Sequence, residues 1–207
     1  MKENKKYFVS IAGNIGSGKS SLTKKIAEKL GWAAYFESVK NNPYLEDFYK
    51  DMKRWSFQLQ VYFLSHRFKI HKEITASKVS VIQDRSIYED VDIFARNLSL
   101  LDRMEKRDYL NYRKLFQEMT FYLKPPDLIV YLKANIDTLI KQIKLRGRTF
   151  EQGIEKKYLE KLNESYNKWI KKYNLGKVLV IQTDELDFVH NKSHFNLILN
   201  KIKTSLG

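Results

Sequence analysis

Residues 13–20 read Gly13-Asn14-Ile15-Gly16-Ser17-Gly18-Lys19-Ser20 and fit G-x-x-x-x-G-K-[ST] at every fixed position. No other eight residues restrict the fold so strongly. The apolar run Tyr7–Ala12 precedes them, and Leu22, Ile26, Ala27 and Leu30 follow at helical spacing, with Gly31 as a stop. A strand entering a glycine-rich turn that opens a helix is a phosphate cradle. The glycines let backbone N–H groups converge on phosphate oxygens, and the helix N-terminus adds its positive end. Lys19 supplies charge for the β- and γ-phosphates, and the Ser20 hydroxyl suits Mg²⁺. A chance match in a chain this long is on the order of a percent. The motif therefore predicts binding of a nucleoside triphosphate.

The rest of the chain alternates. Apolar runs at Ala33–Phe36, Val79–Gln83, Leu128–Leu132 and Val178–Gln182 predict four more strands. Between them, helix-periodic segments are predicted over 44–75, with a stripe of Leu45, Phe48, Met52, Trp55, Leu59 and Tyr62, and over 87–98, 104–123, 136–145, 155–173 and 195–202. This pattern predicts an α/β fold, a five-stranded parallel sheet flanked by helices, whose apolar strands are covered on both faces. Residues 1–207 read as a single domain with a short mobile lid at about 146–153.

The 207 residues carry 38 basic and 24 acidic side chains, a net +14. That balance suits polyanionic partners, although the lysines are scattered along helices as on solvated faces. There is no cysteine, which excludes a disulfide scaffold, a thiolate zinc site and a thiol nucleophile. No run reaches the roughly 18 apolar residues of a membrane span. The first six residues are basic and run into an apolar stretch too short for a signal-peptide core. A cytoplasmic protein is expected, with no membrane or nucleic-acid partner. The histidines His66, His71, His190 and His194 lack convincing metal-ligand spacing.

In an open parallel sheet, ligands bind beyond the carboxyl ends of the strands. Glu37 falls there after the second strand, and Asp84 and Arg85 after the third. Asp84 suits a role in holding Mg²⁺, Glu37 could accept a proton from an attacking hydroxyl, and Arg85 could neutralise charge on a transferring phosphoryl group. Arg146 and Arg148, on a loop that also carries Gly147 and Gly153, suit closure over phosphates.

Together these positions resemble the deoxynucleoside kinase family, of the deoxycytidine, deoxyguanosine and deoxyadenosine kinase type. The matching pieces are the cradle Gly13–Ser20, Glu37, Trp55-Ser56-Phe57-Gln58-Leu59-Gln60, Asp84-Arg85-Ser86 with Tyr88 and Asp90, residues 126–132, and Arg146-Gly147-Arg148 followed by Glu151-Gln152-Gly153-Ile154. They span about residues 7–190. The resemblance implies a P-loop kinase fold and transfer of the ATP γ-phosphate, with Mg²⁺, to the 5′-hydroxyl of a deoxynucleoside in salvage. It implies Glu37 as general base, Arg85 beside the reacting hydroxyl, and Arg146 and Arg148 as lid arginines. Tyr49 and Glu151 would hold the sugar 3′-hydroxyl, Gln60 would read the base edge, and Trp55 would line the base pocket. It also implies a homodimer, through helices in 44–75 and 87–123.

Two positions depart from the family pattern. Asp84 stands where Glu is usual, and Gln142 where an Arg common one turn before the lid would stand. Asp187-Phe188 would belong to the loop beside the ATP adenine. Gln60 and Arg67 are seven apart, on one side of a helix. With Asp90 they match the family's base-contacting positions and favour bases with an exocyclic amino group. The order expected is deoxyadenosine first, deoxycytidine and deoxyguanosine next, thymidine poor. Two alternatives stand beside this reading. One is a nucleoside monophosphate kinase like thymidylate kinase, which would need extra cations for the acceptor phosphate. The other is a P-loop nucleic-acid-binding ATPase, suggested by the net charge alone.

Overall fold

In the computed structural model, residues 5–37 and 42–207 are described. The sheet order is β2(Ala33–Tyr35)–β3(Val81–Asp84)–β1(Phe8–Gly13)–β4(Leu128–Lys133)–β5(Lys177–Gln182), every pairing parallel. β1 lies at the centre and is wholly buried. Its register sets Ile11 beside Asp84, so the phosphate loop leaves the sheet next to the end of β3.

Two main apolar cores sandwich the sheet. On one face α1(Lys19–Leu30) and α8(Lys192–Leu206) pack on Val9, Ile11, Val130 and Leu132. On the other, α2(Leu45–Lys50), α3(Met52–Ala76), α5(Lys106–Thr120) and α7(Lys156–Lys172) enclose a core rich in aromatic residues. α4(Arg96–Leu100) and α6(Ile136–Arg146) complete the set. No helix among the described residues is long and apolar enough to cross a membrane.

The predicted helix over 44–75 is two helices. Asp51 ends α2, and its side chain accepts from the Arg54 backbone N–H at 3.0 Å to cap α3. The buried stripe of α3 also differs from the predicted one. It runs through Ser56, Leu59, Gln60, Phe63, Leu64, Arg67, His71 and Ile74, which leaves Met52, Trp55 and Tyr62 only partly buried. Apolar periodicity misses it because this face carries polar groups inward. The predicted helix over 87–98 opens as a 3-10 turn, Ile87–Glu89, and a π-helical turn, Asp90–Ala95, before α4. Glu89 and Asp90 in that irregular stretch are both fully buried. The edge strand β5 is not covered on both faces: Val178 and Val180 are exposed and only Ile181 is buried.

Candidate active site

The carboxyl ends of β1, β2 and β3 open into a cleft of about 260 Å³. The phosphate loop forms one end. Gly16 and Gly18 have φ of +83° and +86°, and a Cβ on either would come within 2.7 Å of a neighbour, the Leu139 carbonyl oxygen and the Phe188 ring. Only glycine fits both the dihedral and the space. Asn14 ties the loop to α7. Its Nδ2 donates to the Leu159 carbonyl at 3.0 Å and to Asn163 Oδ1 at 2.9 Å, while its Oδ1 accepts from the Ile15 N–H at 2.8 Å.

Lys19 Nζ donates to the Asn14 carbonyl at 2.8 Å and lines the cleft. Burial, then the Arg85 charge, pulls its ammonium down to about 7, against the pull of Asp84, Glu37 and Glu89. Ser20 Oγ donates to Asp84 Oδ2 at 2.5 Å, and Asp84 Oδ1 is buried without a hydrogen-bond partner. Burial raises the Asp84 pKa, with Lys19 only partly opposing. A hydroxyl beside a buried carboxylate with a free oxygen is the donor chemistry of a hard divalent cation, so the pair fits Mg²⁺. Among the described residues no three His, Cys, Asp or Glu cluster to cage a metal. An ion held by two protein groups, phosphate oxygens and water needs no such cage.

The other end is a set of interlocked charges. Arg67 pairs with Glu37 through one guanidinium nitrogen and with Asp90 through the other. Arg85 Nε lies 3.3 Å from the same Glu37 oxygen. Burial pushes the Glu37 carboxyl up, but Arg85, Arg67 and Lys19 together outweigh it and hold it down to about 2. Glu37 is therefore ionised at any physiological pH. Gln60 and Arg67 line the cleft one above the other, as their spacing predicts. Asp90 lies behind Arg67 rather than in the wall. Burial raises it to about 6 despite Arg67, and its Oδ2 has no partner.

The segment predicted as a lid is partly regular: Arg146 ends α6, and residues 149–151 form a 3-10 turn. Glu151 is buried and pairs with both arginines, with Arg148 at 3.1 Å. Phe150 stacks on Tyr49, 5.7 Å between centroids. Tyr49, Arg146, Arg148 and Glu151 all line the cleft. Trp55 does not. It packs 5.9 Å from Tyr44, with the Arg54 guanidinium 4.6 Å above its ring. The helix break at Asp51 and the shifted stripe of α3 put it outside the wall. Three aromatic liners escaped the sequence reading. Phe63 lies 4.8 Å from the Arg67 guanidinium, Phe94 lies 4.4 Å beneath that of Arg85, and Tyr158 comes from α7. With 12 Phe and 13 Tyr in the chain, no local signal marked these three.

A second cavity, of about 440 Å³, adjoins the outer side of Gly16–Gly18 and is lined by Gln142 and residues 183–190, including Asp187 and Phe188. Its loop is fastened by Asp184, which accepts from Asn135 N and Thr138 Oγ1, both at 2.8 Å. His194 and His190 bind Asp187, at 3.0 and 3.1 Å, and so brace the same loop.

Known proteins match this arrangement along nearly its whole length. The family model described as deoxynucleoside kinase matches residues 9–206. A deoxyadenosine/deoxycytidine kinase of Bacillus subtilis is 39% identical over 207 residues, covering 98% of this chain and 95% of the relative. A deoxyguanosine kinase of the same organism is 38% identical over 204 residues, covering 95% and 96%. The solved structure of deoxyadenosine kinase from M. mycoides, with dCMP and a flexible dCDP bound as products, superposes with a TM-score of 0.85. It is 35% identical and covers 95% of this chain and 99% of that one.

Proposed function

Since this chain belongs to the deoxynucleoside kinase family, we propose that it transfers the γ-phosphate of ATP to the 5′-hydroxyl of deoxyadenosine, with deoxycytidine and deoxyguanosine as weaker acceptors. Membership sets aside the thymidylate-kinase and ATPase readings. The observation that carries the acceptor assignment is one cleft in which a phosphate cradle faces an ionised carboxylate flanked by two arginines.

Glu37 is the general base in this reading. It is unprotonated and within reach of an acceptor oxygen lying between it and Lys19. Lys19, Arg85, Arg146 and Arg148 neutralise charge that spreads over the phosphoryl oxygens. Ser20 and Asp84 would hold Mg²⁺, which would supply further positive charge beside the phosphates. Residues 146–153 act as a lid over this single domain, and nucleotide phosphates draw Arg146 and Arg148 away from Glu151. Tyr49 and Glu151 then hold the sugar 3′-hydroxyl.

Gln60 and the Arg67–Asp90 pair read the base edge. A Gln amide pairs with the acceptor–donor edge of adenine or cytosine. Asp90 lies behind Arg67, so a bound base has to shift that guanidinium to meet its carboxylate; thymine would then turn a carbonyl toward it and leave acceptors opposed, at about 1–3 kcal/mol. Identity does not choose the base, since relatives named for adenine, cytosine and guanine nucleosides match almost equally. A homodimer is supported by apolar surface at and beyond α5, where Leu110, Leu115, Phe121 and Tyr122 are exposed; sedimentation would test it. The experiment for the activity is kcat/KM with Mg²⁺-ATP across the four deoxynucleosides. Thymidine as the best acceptor, or no turnover of any, defeats the reading.

A further inference from the structure

Tyr166 is fully buried on α7 and does not line the cleft, yet it touches the arginine most deeply engaged there. Its hydroxyl accepts a hydrogen bond from Arg85 Nη1 at 2.7 Å and donates one to Glu89 Oε2 at 2.7 Å. The ring is locked by stacking on Tyr131, with centroids 5.6 Å apart and planes 10° from parallel. Glu89 is locked as well, because its other oxygen accepts the Ser86 N–H at 2.9 Å to close the turn that follows Arg85.

Arg85 itself takes up φ of +66°, a conformation that costs a non-glycine residue energy and persists only where its surroundings impose it. Its guanidinium then spans Tyr166 on one side, and Glu37 at 3.3 Å and the Gly13 carbonyl at 3.4 Å on the other. The direct approach of Arg85 to Glu89 stops at 3.9 Å, beyond a hydrogen bond. A neutral hydroxyl thus stands between a buried cation and a buried anion. Without it, the guanidinium is free to close on Glu89 as a direct ion pair and turn its charge from the cleft.

We propose that Tyr166 is a positioning residue for phosphoryl transfer, a spacer whose hydroxyl keeps Arg85 off Glu89 and directed at the acceptor oxygen and the transferring phosphoryl group. This rests on the role given to Arg85 above. The hydroxyl contributes nothing to substrate contact, so its effect belongs in kcat rather than in KM.

The test is a double-mutant cycle of Tyr166→Phe with Arg85→Ala, read as kcat and KM for deoxyadenosine and ATP on proteins whose melting curves show a folded state. Phe keeps the stacked ring. Tyr166→Phe alone is expected to lower kcat by about tenfold with both KM values within about twofold, and in the Arg85→Ala background to change kcat by less than about twofold. A hydroxyl that only stabilises the fold would lower Tm and leave kcat alone, and that result overturns the proposal. An equal fall in both backgrounds overturns it as well, because Tyr166 would then act without Arg85. If Tyr166→Phe does not fold, Tyr166→Phe combined with Glu89→Gln, which removes the charge on which Arg85 would close, takes its place: kcat within about twofold of the Glu89→Gln single variant supports the spacer role, and a further fall of about tenfold overturns it. Should Arg85→Ala keep full kcat, the spacer has nothing to position and the proposal fails, while turnover of deoxynucleosides by the parent enzyme would still stand. Loss of the family activity itself would show instead as no turnover by the parent.

Discussion

The two ends of the cleft are built differently. The phosphate-binding end comes from eight consecutive residues, 13–20, running from the end of β1 into α1, with backbone N–H groups, one lysine and the Ser20 hydroxyl. The acceptor end draws Glu37 from beyond β2, Tyr49 from α2, Gln60 and Arg67 from α3, Arg85 from the end of β3 and Glu151 from the segment after α6. The first end is a backbone shape with a charge added. The second is a balance of buried charges, in which Arg67 and Arg85 share Glu37 and each has a further acid behind it. A backbone shape tolerates loss of a side chain better than a charge balance does, because removing one member of the latter leaves a buried ion uncompensated.

The comparison breaks most visibly at Glu37. Glu37→Gln keeps the shape but cannot take the 5′-proton, and kcat should fall about 10²–10⁴-fold. It also leaves Arg67 and Arg85 without their shared carboxylate, so Tm should drop. Calorimetry that showed lost deoxynucleoside binding, with unimpaired turnover of bound acceptor, would make Glu37 a binding residue. At the other end, Lys19→Ala should cost about 10²–10³ in kcat while Tm holds or rises, since an ammonium already lowered by burial is removed. A folded Lys19→Ala variant with near-normal kcat would contradict the cradle assignment.

Base selection sharpens the contrast. Replacing both partners, Arg67→Met with Asp90→Ala, should cut the preference for deoxyadenosine over thymidine by about tenfold or more, from about 1–3 kcal/mol of mismatch. An unchanged preference would mean that the pair is structural and lies outside the base contact.

The mildest effect is in pH. With Lys19 near 7 in the free enzyme and 10.5 as the ordinary value, triphosphate binding favours the charged form and raises the group again. Below pH 7 Lys19 is already protonated and binding takes up no proton there. Above 7, binding must supply one, so ATP affinity should weaken by up to about tenfold per pH unit until the bound-state pKa is reached. Titration calorimetry at pH 8 in buffers of different ionisation heat should find close to one proton taken up, and none in Lys19→Met. Equal proton uptake in both proteins would assign the linkage to another group.

What is local in the sequence was legible in it. The glycine spacing of 13–20 imposes one backbone path, and a chain alternating between apolar strands and periodic helices has few ways to bury itself other than a parallel sheet. Glu37, Asp84 and Arg85 could be placed because strand ends in such a sheet share one edge. Beyond Gln60 and Arg67, which the resemblance sets at the base, only tertiary structure decided which face of α3 turns inward. The apolar stripe pointed to Trp55 and Tyr62, whereas the chain buries Gln60, Arg67 and His71 instead. It decided too that Glu89 and Asp90 enter the core through an irregular turn, and that Tyr166 of α7 meets Arg85 across 81 residues. A buried polar side chain is stable only with its partners in place, and the partners of Arg67 and Arg85 come from distant segments. Hydrophobic periodicity reads such residues as surface, because the charges that cancel theirs become neighbours only when the sheet has formed.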